Sequence, residues 1–254
     1  MALQKAIISF RMQKKWRIAV LLSAFFLGGI LLQTGNALFI LLESPTPSQS
    51  SGTKTNGSLR YGKRLPTRGA NFVAYSSLAT LLGRNTVHSA VRKAVLEAYQ
   101  GLEQKTPGVT FVYGETGWPW GGRFWPHESH QNGLSVDFFV PVVDENGHPI
   151  ILPHSIFTKF GYGLEFDGIG SLGVLQIDFP TMAAHLEALE QAARRNGLAI
   201  DLVVFAPELQ QYLWQTPRGK KLQKSLRFST EPSWMRHDAH YRVDFALLRT
   251  TRPR

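Results

Sequence analysis

The stretch Trp125-Pro126-His127-Glu128-Ser129-His130-Gln131-Asn132-Gly133-Leu134-Ser135-Val136-Asp137-Phe138-Phe139 decides how this chain is read. Its second half has the apolar character of a strand, expected over 134–143. Yet it sets a carboxylate, Asp137, between Val136 and Phe138. A carboxylate buried in such a strand is costly unless it is paired or metal-bound. His130 stands seven residues earlier. In one continuous strand an odd separation puts two side chains on opposite faces. Gly133 permits a turn that brings them together, and a loop imidazole beside a strand carboxylate is a donor pair that zinc accepts. The plainer alternative pairs Asp137 with an arginine and leaves His130 as an ordinary loop histidine.

A second cluster, Arg236-His237-Asp238-Ala239-His240-Tyr241-Arg242-Val243-Asp244-Phe245, lies far along the chain. Strand alternation puts His240, Arg242 and Asp244 on one face and Tyr241, Val243 and Phe245 on the other. The polar face reads either as the wall of an active site or as a solvated edge strand. The two clusters hold four of the eight histidines, which favours a site.

The fuller motif, Gly114-Glu115-Thr116…Gly121-Gly122…His127-x-Ser129-His130-Gln131-x-Gly133-Leu134-x-Val136-Asp137, resembles that of the penicillin-insensitive murein endopeptidases. These belong to a wider group with lysostaphin, the D-Ala-D-Ala metallopeptidases and the hedgehog signalling domain. The likeness covers roughly 65–248. It implies a zinc peptidase of LAS/hedgehog-like fold that cuts peptide cross-links in peptidoglycan, with a D,D-carboxypeptidase of the same group as the alternative activity. By this likeness His130 and Asp137 are metal ligands, and His127 lies at the rim of the same site, where it would meet substrate. His237 and His240 line it as catalytic groups. The family pattern ends in His-x-His, whose second histidine is the third zinc ligand. Here that place holds Arg242, which has no lone pair to give and stays protonated. Three outcomes are open. His240 or His237 supplies the ligand in a shifted site, two protein ligands and water hold the metal weakly, or the domain keeps peptidoglycan binding without hydrolysis. Taking the ligand from 240 moves its backbone by about 6.5 Å along a strand. Arg242 is read either as a binder of a substrate carboxylate or as the partner of Asp244.

Outward from these motifs, helices are expected over 86–104, from Pro180 to Gly197 and over 207–214. Strands are expected over 109–113, 199–205 and 241–248. Trp118, Trp120, Trp125 and Trp234 flank the two clusters as candidate groove walls. There is no repeat and no strict βαβ alternation, so the class is α+β, with a small mixed or antiparallel sheet flanked by helices, over 70–248.

Residues 18–42 are almost continuously apolar. As a helix, about 25 residues span roughly 37 Å, enough to cross a hydrocarbon core. Five basic residues precede the run, which keeps residues 1–17 in the cytoplasm and exports the remainder. This is an inner-membrane anchor or, with Gly35 and Ala37 as a small-x-small pair, a cleaved signal sequence. Residues 43–69, rich in Ser, Pro, Thr and Gly, read as a flexible linker, and 249–254 as a basic tail. The net charge of +10 suits an anionic partner such as a membrane or the cell wall. No nucleic-acid-binding motif accompanies it. The absence of cysteine excludes disulfides, thiolate zinc sites and thiol nucleophiles.

Overall fold

The computed structural model describes residues 2–231 and 236–248, with side chains from residue 16 onward. Trp234 and the 249–254 tail lie outside the described residues. The chain opens with helix α1, Ala2–Leu41, which contains one stretch, Trp16–Leu41, long and apolar enough to cross a membrane.

Residues 43–69 are not a spacer. They form the hairpin β1 (Gln49–Gly52) and β2 (Gly57–Arg60), then β3 (Lys63–Arg64). Leu59 and Leu65 from this stretch are buried. Glu43 is paired with Arg92 at 2.6 Å, and Lys54, in the hairpin turn, reaches Asp244 at 2.5 Å. The segment's polar composition concealed two buried apolar side chains and two ion pairs, which hold its short strands against the rest of the chain.

Next come β4 (Phe72–Ala74), the short helix α2 (Ser77–Leu81), β5 (Thr86–Val87) and α3 (Ser89–Leu102). Thr86, expected to cap α3, instead pairs with Arg64 in the β3–β5 ladder. His88 takes the cap, its Nδ1 accepting from the backbone of Ala90. Strand β6 (Phe111–Tyr113) leads through the long Gly/Trp loop to β7 (Ser135–Phe139). The expected strand over 134–143 is split, because the chain leaves the main sheet after β7. It then forms a small antiparallel sheet from β8 (Val142–Val143), β9 (Pro149–Ile150), β10 (Ser171–Leu172) and β11 (Leu175–Ile177). A kinked turn, Ile156–Gly161, lies within this excursion.

Helix α4 (Phe179–Arg195) starts on an Asp178 cap, and Gly197 follows its end. The chain continues through β12 (Leu198–Val204), α5 (Pro207–Gln215), α6 (Pro217–Ser225) and β13 (His240–Leu247). The main sheet runs β12-β13-β7-β6-β4. Its β4–β6 pair is parallel and the other pairs are antiparallel, so the sheet is mixed.

The molecule is thus α+β, with sheets flanked by helices and one apolar helix at the N-terminal end. Val136 and Phe138 of β7, with Tyr241, Val243 and Phe245 of β13, are buried in the core alongside residues of α3 and α4. Alternation then turns Ser135, Asp137 and Phe139 of β7 to the other face. The register sets them opposite Asp244, Arg242 and His240 of β13.

Candidate metal centre

That second sheet face carries the candidate site. Asp137 projects from β7, and the Gly/Trp loop brings His127 and His130 over it. The loop reverses through Gly133, at φ +73°, where an added β-carbon would meet the His88 amide at 3.0 Å. His130 itself adopts φ +70°. Its Nδ1 lies 3.2 Å from the Thr116 carbonyl, so the proton belongs on Nδ1 and the Nε2 lone pair faces Asp137. His130 Nε2 and Asp137 Oδ1 are 3.3 Å apart. Both atoms are wholly buried and neither has a hydrogen-bond partner. Two buried groups facing each other in this way call for something positive between them, a proton or a cation.

His127 completes the group. Ligand atoms of His127, His130 and Asp137 all lie within 4.8 Å of one another, and all three residues are buried. Donors on a four-coordinate zinc at about 2.0–2.1 Å are separated by about 3.4 Å. The His130–Asp137 spacing already matches this, and the His127 ligand atom lies within 4.8 Å of both.

Supporting contacts fix each donor. His127 Nε2 bonds Glu115 Oε2 at 2.7 Å. The Glu115 carboxylate also accepts from Tyr75 at 2.6 Å and from Arg84 on both oxygens. Arg84 in turn lies over the Phe124 ring at 4.1 Å. The Tyr162 hydroxyl accepts from the Glu115 amide at 2.8 Å and donates to Asp137 Oδ2 at 2.9 Å. A carboxylate behind an imidazole and a hydroxyl behind a carboxylate are the usual outer partners of metal ligands.

Charge follows from these contacts. Burial opposes the ionised form of Glu115, but His127 and Arg84 outweigh it and hold the carboxyl down at about 2. Burial raises the Asp137 carboxyl, and a positive charge beside it, on His130 first, draws its pKa well below the usual range; that pull belongs to the protonated imidazole, whose place a bound cation would take. Burial works against the charge on His127, yet Glu115 and Asp137 raise its pKa overall. Burial pushes His240 down to about 3, which Asp137 only partly offsets. His240 is therefore neutral at pH 7.

The expected ligands His130 and Asp137 do converge. His240, expected as the third, is not in the group of side chains close enough to share an ion among the described residues; His127, expected at the rim, takes that place. The register gives the reason. Arg242, not His240, stands opposite Asp137, and His240 pairs with Phe139 two residues further along. His240 remains on the same face, its ring 4.8 Å from Tyr162 and 4.6 Å from His237. Both of its ring nitrogens are buried without a hydrogen bond.

Arg242 is turned away from ligand duty. It is 3.1 Å from Asp244 and donates to Ser129 at 2.9 Å, which is the salt-bridge reading. Trp125 is exposed, and Trp118 and Trp120 stack on each other at 5.8 Å. Beside His127 opens a cavity of about 490 Å³, whose lining includes Glu115, Pro126, Phe160 and Tyr162. Sequence reading assigned no role to Glu115, although an acid inside a Gly/Trp loop was a visible signal. Tyr162, 25 residues beyond Asp137, gave none. No protein-family model and no curated protein matches the sequence.

Proposed function

We propose that this chain is a zinc-dependent peptidoglycan endopeptidase of the murein endopeptidase type, with a LAS/hedgehog-like domain held at the inner membrane by α1 and facing the periplasm. One observation carries the reading: His130 Nε2 and Asp137 Oδ1 face each other, buried and unbonded, with His127 in reach. Two imidazoles and a carboxylate suit zinc. His130, Asp137 and His127 would hold the ion, each oriented by Thr116, Tyr162 or Glu115.

A zinc ion held by these three residues would supply a Lewis acid for a peptide carbonyl and a better water nucleophile at neutral pH. The chain's own residues supply the remainder. His240, neutral and with both nitrogens open, orients the attacking water by accepting a hydrogen bond. His237, whose ring lies beside it, relays the proton towards the leaving amine. Trp125 and the cavity beside His127 receive the substrate strand.

The deciding experiment measures zinc content together with release of soluble muropeptides from sacculi. Stoichiometric zinc and cleavage, both lost in His130→Ala and Asp137→Ala, are expected. Cleavage that survives complete removal of metal would sink the reading. A second reading, a peptidoglycan-binding domain without hydrolysis, is favoured by the commitment of Arg242 to Asp244 and Ser129. Sacculus binding without product would favour it. Product masses from a cross-linked dimer distinguish an endopeptidase from a D,D-carboxypeptidase.

A further inference from the structure

The apolar helix is packed against the domain rather than tethered to it. Gly35 and Asn36 are buried although the residues around them are exposed. A β-carbon on Gly35 would come within 2.5 Å of Leu81, at the end of α2. The Asn36 amide donates to the Leu65 carbonyl at 2.9 Å and to Thr67 at 3.1 Å, and its oxygen accepts from Asn85 at 3.1 Å. Arg64 lies over the Phe39 ring at 4.3 Å while donating to the Thr80 carbonyl at 2.9 Å, so it ties α1 to α2.

Counted from Trp16, about 20 residues at 1.5 Å each cross a hydrocarbon core of about 30 Å and end at Gly35. The docked residues therefore begin where the helix leaves the lipid, and α2 lies at that level. On α2 the ridge next to the Gly35 contact carries Leu78 and Leu82, four residues apart and thus on one face. Both are more than half exposed, and both line the cavity beside His127. The cavity is also lined by Lys159 and Phe160 of the kinked turn. That turn also carries Phe157, 95% exposed. Apolar side chains on α2 and on the turn, with Lys159 beside Phe160, suit the headgroup layer of an anionic bilayer.

We propose that α2 and the Phe157 turn rest in the lipid headgroup layer, so that the cavity beside His127 opens at the membrane surface and takes targets held there. This rests on α1 being a membrane span, and it deepens the proposed function by fixing where the substrate is met. The chain has no cysteine, so single cysteines introduced into the full-length protein can carry an environment-sensitive fluorophore. The protein is reconstituted in vesicles of phosphatidylethanolamine and phosphatidylglycerol, with nitroxide lipids as quenchers.

Labels at Leu82→Cys and Phe157→Cys are expected to shift to the blue and to lose emission to a headgroup nitroxide. A label at Gln223→Cys, on α6 and away from α2, should keep an aqueous spectrum. Phe25→Cys should be quenched only by a nitroxide deep in the acyl chains. Adding Gly35→Leu, which forces α1 off Leu81, should abolish quenching at Leu82 and leave that at Phe25. If Leu82 is no more quenched than Gln223, the proposal fails; quenching retained at Phe25 in that case shows that the anchor reading stands. The readout involves neither metal nor cleavage, so it does not depend on the peptidase assignment.

Discussion

His130 carries two opposed demands. Its φ of +70° lies in the left-handed region, which costs a residue with a β-carbon about 1–2 kcal/mol. The same conformation aims its Nε2 at Asp137. Comparing two deletions of the ligand separates these terms. Without metal, His130→Gly is expected to be more stable than His130→Ala by about 1 kcal/mol, read from urea unfolding, while both lose zinc. Tyr162→Phe removes the hydroxyl that joins Asp137 to the Glu115 amide. It should weaken zinc binding by about 10- to 100-fold, measured by chelator competition, with the fold retained. Arg242→His puts a donor opposite Asp137; with His127 already in the third position, zinc affinity is expected to stay unchanged, and a marked tightening would show that the third position was empty. His130 and Asp137 were legible because a buried acid and a histidine across a glycine turn are local signals. The exchange of His240 for His127 was not, because it depends on the pairing register of β13 with β7. Alternation gives the face of a strand but not its offset.

At the scale of elements, helices α3, α4 and α5 and strands β6, β7, β12 and β13 were legible from apolar periodicity and terminal residues, whereas β4 and α6, which also reach the core through Phe72 and Leu222, were not. Pro180 in the first turn of α4, with Gly197 after its end, is an example of such terminal residues. The hairpin β1–β2 was not. Its residues are small and polar, and its order comes from contacts made far away in sequence, such as Lys54 with Asp244 across 190 positions. Leu59 is its one buried strand residue. Leu59→Ala should cost about 2–4 kcal/mol in thermal or urea unfolding, whereas a spacer would be indifferent to the change. The small sheet after β7 was also missed, because two-residue strands give no periodicity to read.

For the molecule as a whole, stability should depend on pH through His185. It is wholly buried, stacked near Phe111 at 4.9 Å, and burial pushes its pKa down to about 3. The folded protein keeps it neutral, while the unfolded chain takes a proton below about 6.5. Stability is therefore full above that pH and declines as pH falls towards 3, by up to about 1.4 kcal/mol per unit. Between pH 6.5 and 5, above the range where most carboxylates titrate, His185→Gln should flatten this slope in urea unfolding. The packing of Gly35 and Asn36 has a consequence of its own. A leader-processing protease grips its target as an extended strand, and the small-residue pair that would invite it, Gly35 and Ala37, lies in helical geometry with one member sealed under Leu81. Any cleavage there would have to come before the domain closes over that turn of helix, because closure would put the bond out of reach.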